Sequence, residues 1–97
     1  MVSEDADFMW RAEFHKALSN PVRLQIVELV LDGEMCQCDI FPAIGHSQST
    51  VSSYLSQLVR SRILAVRRDG TRKLYSIANP GILKALDIMR HLATQAK

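Results

Sequence analysis

The sequence predicts a mainly α-helical chain with one small β-hairpin. Three observations carry that expectation. Apolar residues recur at helical spacing in four stretches punctuated by Asn-Pro starts and glycine stops. One stretch, Ile63 to Ile77, reads instead as two strands around an Asp69-Gly70 turn signal. Between them lies a helix, Ser47 to Leu58, whose polar face holds Ser, Thr and Gln and no acid. Solvated helix faces usually carry Glu and Lys. Short neutral side chains that both donate and accept hydrogen bonds suit a surface that meets phosphates and base edges.

The chain has 97 residues, which favours one domain over residues 1–97 with a modest core that a dimer would help to stabilise. It is 47% hydrophobic and 23% charged, the balance of an ordinary globular protein. No apolar run approaches the ~18 residues of a membrane span, and the acidic start MVSEDADFMW does not read as a signal peptide. Two cysteines separated by one residue are not a secreted disulfide framework, so a cytoplasmic location is expected. The net charge is only +2, yet six of the 12 Lys and Arg residues fall between Arg60 and Lys73, with Asp69 the one acid there. Eight of the 10 acids precede Ile40. Such a block implies a polyanionic partner.

The elements follow in order. Residues 5–18 are expected to be helical, with an apolar stripe through Phe8, Trp10, Phe14 and Leu18. Asn20-Pro21 supplies a cap and a first helical residue. The helix it opens is apolar nearly all round, hence central and buried, and is expected to stop at Gly33. Pro42 sets the register of the next helix, since proline is tolerated in a first turn. That helix should begin near Cys38 or Asp39 and end at Gly45. Ser47 then caps the serine-rich helix, and two short helices around a glycine turn make a helix-turn-helix. Strands are expected from Ile63 to Arg68 and back to about Ile77. Asn79-Pro80 starts a last helix with a stripe through Ile82, Leu83, Leu86, Met89 and Leu92. Met35 and Met89 read as core. A helix-turn-helix followed by a basic hairpin is a winged helix, whose wing tip is Arg67-Arg68-Asp69-Gly70-Thr71-Arg72-Lys73.

Four segments then carry a resemblance over nearly the whole chain: ALSNPVRL at 17–24, EMCQCDI at 34–40, SQSTVSSYL at 47–55 and RDGTRKLY at 68–75. Together and in this order they resemble the ArsR/SmtB family of metal-responsive repressors. The third is similar to that family's recognition helix, with Tyr54 at a position where a His is usual. The resemblance implies a homodimer built from the first and last helices and repression of a palindromic double-stranded DNA operator, relieved by an inducer. On it, Gln48, Ser49, Thr50, Ser52 and Ser53 would read or position in the major groove. Arg67, Arg68, Arg72 and Lys73 would grip phosphate or the minor groove. Cys36-Gln37-Cys38 looks like the thiolate box of the arsenic-sensing branch, which implies arsenite, antimonite or a soft metal ion as inducer and no obligatory cofactor. A third cysteine often follows in that branch, and Phe41 stands there instead. Asn79, Gly81, Leu92 and Gln95 occupy the places of the family's second, zinc-type site, so that site is expected to be absent.

The cysteines can be read on their own chemistry. Thiolates are soft ligands. Residues i and i+2 face apart in a helix and together in an extended segment. A ligand shared by Cys36 and Cys38 should therefore need residues 36–38 extended or the first helical turn unwound, and so select a conformation of the helix-turn-helix. His15, on the first helix that a dimer would bring toward the partner's site, is a weaker third-ligand candidate. Three other readings stay open: two buried structural cysteines, a redox-sensing repressor of the same fold, and a winged helix that binds protein only. No catalytic constellation or βαβ pattern supports an enzyme such as a CxC thiol oxidoreductase.

Overall fold

The computed structural model describes residues 2–97, the side chains from Asp5 onward. Five helices and three strands follow in the order α1 (Val2–Ala17), α2 (Pro21–Leu29), β1 (Met35–Cys36), α3 (Gln37–Ile44), α4 (Gln48–Arg60), β2 (Leu64–Asp69), β3 (Arg72–Ile77) and α5 (Pro80–Ala96). None of the described helices is long and apolar enough to cross a membrane.

Local chemistry sets the helix starts. The Asn20 side chain accepts from the N–H groups of Val22 and Arg23 at 2.8 and 3.1 Å. Ser47 Oγ accepts from Thr50 N–H at 3.2 Å, and Asn79 Oδ1 accepts from Gly81 N–H at 2.8 Å. These are N-caps of the kind the sequence announces, each supporting its helix by about 0.5–2 kcal/mol. Gly45, at φ 76°, ends α3 in the left-handed conformation that glycine adopts freely. α2 ends four residues before Gly33, because Val30 already closes its last turn onto Val27 and Glu28.

The core gathers Ile26, Val27 and Val30 of α2, Ile40 of α3, Val51, Leu55 and Leu58 of α4, and Ile63, Leu64 and Leu86, all at most 2% exposed. Burying each of these side chains favours folding by about 1.5–3 kcal/mol. Arg23 ties three helices together. Its guanidinium donates to the Ala17 and Lys16 carbonyls at the end of α1, at 2.6 and 3.2 Å, and lies 5.0 Å from the centre of the Tyr54 ring on α4. That supplies donors for α1's orphan carbonyls and a cation–π contact to the helix-turn-helix.

Several expectations are corrected. The sheet has three strands, in the order β1-β3-β2, where a two-stranded hairpin was expected. β1 pairs Met35 with Tyr75 and Cys36 with Leu74. β3 is thus the central strand, which is why Leu74 and Tyr75 are both buried although they are neighbours. The hairpin pairs Asp69 with Arg72, so its two turn residues are Gly70 and Thr71, one place later than Asp69-Gly70. α3 begins at Gln37, which puts Pro42 at its sixth residue. The bond that Pro42 cannot donate would go to the Cys38 carbonyl, and both residues are exposed, so water can satisfy it. Met35 packs on the core, whereas Met89 is exposed. So are Phe8, Met9 and Trp10 of α1 and Leu83, Ile88 and Leu92 of α5, leaving apolar faces open on the first and last helices of the single chain.

Arg62 holds φ 63° at the end of α4, where Arg62 N–H reaches the Val59 carbonyl and Ile63 N–H the Leu58 carbonyl, both at 3.0 Å. This is a Schellman-type stop, at a position that favours glycine. Arg62→Gly should therefore raise the unfolding free energy by about 0.5–1 kcal/mol, the relief of the left-handed strain exceeding the added freedom of the unfolded chain. Arg62→Val should lower it by at least ~1 kcal/mol, since a β-branched residue tolerates that conformation poorly. Urea denaturation at fixed protein concentration measures both.

Candidate nucleic-acid interface and thiol site

α4 presents its two faces as its spacing requires. Val51, Leu55 and Leu58 are buried, while Gln48, Ser49, Ser53, Ser56 and Arg60 are exposed and Thr50 and Ser52 are partly so. The hydroxyl-bearing stripe thus runs from the start of the helix to Arg60 at its end. The wing lies alongside. Its strand β2 leaves the core after Leu64, and everything from Ala65 to Lys73 is exposed.

Register decides which wing cations are free. Arg68 lies directly opposite Lys73 in the hairpin. Like charges so placed repel, and the pairing carries no benefit within the chain. Arg67 differs. Its Nε and Nη2 donate to the two carboxylate oxygens of Glu34 at 2.7 and 2.8 Å. This two-pronged pair joins the wing to the segment just before β1. The guanidinium's hydrogen bonds hold the Glu34 carboxyl below the usual carboxylate range, and Glu34 raises Arg67 in return. Among the described residues the other ion pairs are Arg11–Asp7 and Arg90–Glu28, so Arg60, Arg68 and Lys73 have no carboxylate partner, and Arg72, which lies opposite Asp69 in the hairpin, forms no salt bridge with it. Arg60 was not singled out from the sequence; its place at the end of the hydroxyl stripe was the available signal.

Two clefts flank the wing, and neither has an acid in its lining. One, of about 360 Å³, lies between α4 and the inner face of the hairpin, with Ser56, Arg60, Arg68 and Lys73 around it. At its floor is Tyr75, whose hydroxyl donates to Gln37 at 3.4 Å. Burial pushes the Tyr75 phenol up, opposed by the Arg68 charge. The other cleft, of about 550 Å³, is bounded by Cys36 and Cys38, by Phe41 and Pro42, by Gln48 at the head of α4, and by Thr71, Arg72 and Lys73 at the wing tip. The thiol segment, the recognition helix and the wing tip therefore share one concavity.

The cysteines stand differently from the geometric expectation. Cys36 is extended, at φ −70° and ψ 141°, and is the N-cap of α3, while Cys38 is the second residue of that helix. An N-cap side chain bends back over the first turn. Cys36 Sγ does so, accepting from Cys38 N–H at 3.1 Å, and the two sulfurs are joined as a disulfide with Cα atoms 5.2 Å apart. Both sulfurs thus lie on one side while α3 is fully helical. The two sulfurs can approach each other without unwinding the first helical turn, because the cap residue is extended already. Cys36 is 3% exposed, whereas Cys38 is open to solvent. His15 lines a separate cleft of about 280 Å³ with Leu24, Glu28, Leu86 and Met89, which shares no residue with the cysteine cleft. No group of three or more His, Cys, Asp or Glu side chains that could hold a metal ion occurs among the described residues. Once reduced, the pair would offer two thiolates, a donor set that suits a thiophile and not a hard cation.

A family model described as bacterial regulatory protein, arsR family, matches residues 20–66, which hold α2, β1, α3, α4 and the first three residues of β2. The chain is 38% identical over 85 residues to the uncharacterized HTH-type transcriptional regulator Rv0081 of Mycobacterium tuberculosis, covering 82% of this chain and 71% of that one. It is 36% identical over 77 residues to an arsenical resistance operon repressor of Staphylococcus aureus, covering 79% and 71%. Its structure matches the solution structure of the homodimeric winged helix-turn-helix DNA-binding domain Mb0332 of Mycobacterium bovis with a TM-score of 0.90 at 31% identity, over 96% of this chain and 86% of the other.

Proposed function

The chain belongs to the arsR family of bacterial regulatory proteins, and we propose that it is a homodimeric transcriptional repressor released from duplex DNA by a thiophilic ligand at Cys36 and Cys38. The observation that carries the DNA reading is the absence of acids from the clefts beside the wing. A chain with 10 acids places none in the lining of either cleft, and four cations there form no salt bridge among the described residues. In this reading Gln48, Ser49, Thr50, Ser52 and Ser53 enter the major groove, where Gln48 at the head of α4 can make a bidentate contact to a base edge. Arg60, Arg68, Arg72 and Lys73 meet phosphates. Arg67 is engaged by Glu34 and serves to hold the wing. The open apolar faces of α1 and α5 meet those of a second copy, and the two recognition helices then address half-sites of a palindrome about one helical turn, ~34 Å, apart.

The inducer reading is supported by the shared concavity. Arsenite, antimonite or a soft ion held by the two sulfurs would occupy the space between Gln48 and the wing-tip cations. Coupling then acts through that space and its charge, with α3 intact. A redox-sensing repressor is the second reading, and the Cys36–Cys38 disulfide favours it.

With four phosphates met by each subunit, the slope of log affinity against log salt should be about −7 for the dimer. Glu34→Gln should release Arg67 to a fifth phosphate and steepen that slope by about 2. Titration of labelled duplex at several salt concentrations reads both, and a wild-type slope near zero would remove the DNA reading.

Cys36→Ser and Cys38→Ser should keep DNA affinity close to wild type and lose the response to arsenite under reducing conditions. Serine preserves the cap at residue 36. A coupling of ~1–3 kcal/mol is typical for such an effector, so wild-type affinity should fall roughly 5- to 150-fold on adding arsenite. A persistent response in both variants would show that these cysteines are not the sensor. Release of wild type by oxidant alone would favour the redox reading.

A further inference from the structure

The cysteine cleft pairs two unlike sulfurs with two cations. Both line it, Cys38 as an exposed residue and Cys36 as a buried one. Arg72 and Lys73 line the same cleft, no acid does, and Thr71 and Gln48 add a hydroxyl and an amide. Neither cation forms a salt bridge among the described residues. A sulfur reagent that enters meets the exposed cysteine beside Arg72 and Lys73, charges that favour anions.

We propose that the Cys36–Cys38 disulfide exchanges with an anionic low-molecular-weight thiol seated in this cleft, leaving a mixed disulfide on Cys38 and a thiolate at Cys36. The step balances on its own. The incoming thiolate attacks Cys38 Sγ, the new S–S bond forms there, and the electron pair of the old bond leaves on Cys36 Sγ. No further oxidant or reductant is needed, and attack by Cys36 on the mixed disulfide reverses it. The regiochemistry follows from two facts. Cys38 is the exposed residue of the pair, and Cys36 Sγ already accepts the Cys38 N–H at 3.1 Å, which stabilises the charge it gains as leaving group. The acidic group of the thiol rests against Arg72 and Lys73. The adduct thereby occupies cations that a DNA phosphate would use. The inference rests on Cys36 and Cys38 as the sensing pair, but its chemistry is read without DNA.

The test uses the full chain with its disulfide formed and three thiols of different charge: 2-mercaptoethanesulfonate, 2-mercaptoethanol and cysteamine. Each is added at matched thiolate concentration and quenched with iodoacetamide. Peptide mass spectrometry should find the thiol on Cys38 and the alkyl group on Cys36. Rates should fall in the order anionic, neutral, cationic, with a spread on the order of tenfold at low ionic strength. The spread should collapse at 1 M salt and in Arg72→Ala/Lys73→Ala, and persist in Lys84→Ala/Lys97→Ala, which removes the same charge from α5 and the chain end. The salt series on wild type stands alone if the double variant misfolds. Equal rates for the three thiols, a spread indifferent to salt, or an adduct mainly on Cys36 would overturn the proposal. A wild type that responds to arsenite yet shows no exchange would also overturn it, leaving the metalloid reading intact.

Discussion

Two residues of strand fix where everything else meets. Met35 and Cys36 pair with Tyr75 and Leu74, and this short ladder fastens the loop after α2 to the centre of the wing sheet. Neighbouring contacts reinforce it from both sides. Glu34 grips Arg67 on β2, and Gln37 accepts from the Tyr75 hydroxyl. The segment from 34 to 37 is thereby tied to the wing at four successive residues. Because Cys36 ends the strand and caps α3, the same pairing sets the start of the helix-turn-helix and the position of the thiol pair. Without it, the wing would be a two-stranded ribbon, a form that is marginal in water.

That arrangement sorts the charges. The acids of the chain lie mostly in its first 39 residues, but only Glu34 is brought to the wing, where it engages one arginine. The remaining wing cations stay open, two of them facing each other across the hairpin. Exposed charge on an edge strand also discourages strand-to-strand aggregation. That role would not require the facing surface of α4 to be free of acid as well. In the proposed reading the two surfaces share a polarity because both face the same polyanion.

Much of this was legible in the sequence because it is local. Caps at Asn20, Ser47 and Asn79, the stop at Gly45 and the buried face of α4 depend on neighbours within a turn or two. β1 was not legible, since two residues carry no periodicity and their pairing partner lies 38 to 40 residues away. The turn position slipped by one because Asp69-Gly70 matches the statistical signal for a central pair, while β1 and the core fix the register so that Gly70 comes first. Pro42 misled because α3 is short and the carbonyl left without its donor, that of Cys38, belongs to an exposed residue that water can reach. The sulfur geometry was misjudged for a related reason. The helix-or-strand alternative for residues 36–38 left out the cap, which is extended on one side and helical on the other. Arg67 reads in sequence like its neighbours, and only the fold reveals its partner.

The central claim is that the thiol pair and the DNA surface share one cleft between α4 and the wing tip. The most direct measurement is the alkylation rate of Cys38 in the reduced chain, with and without saturating duplex DNA at low salt. Bound duplex should slow Cys38 alkylation strongly, and the protection should disappear as salt releases the DNA. An unchanged rate with DNA fully bound would place the thiols outside the interface and contradict the account.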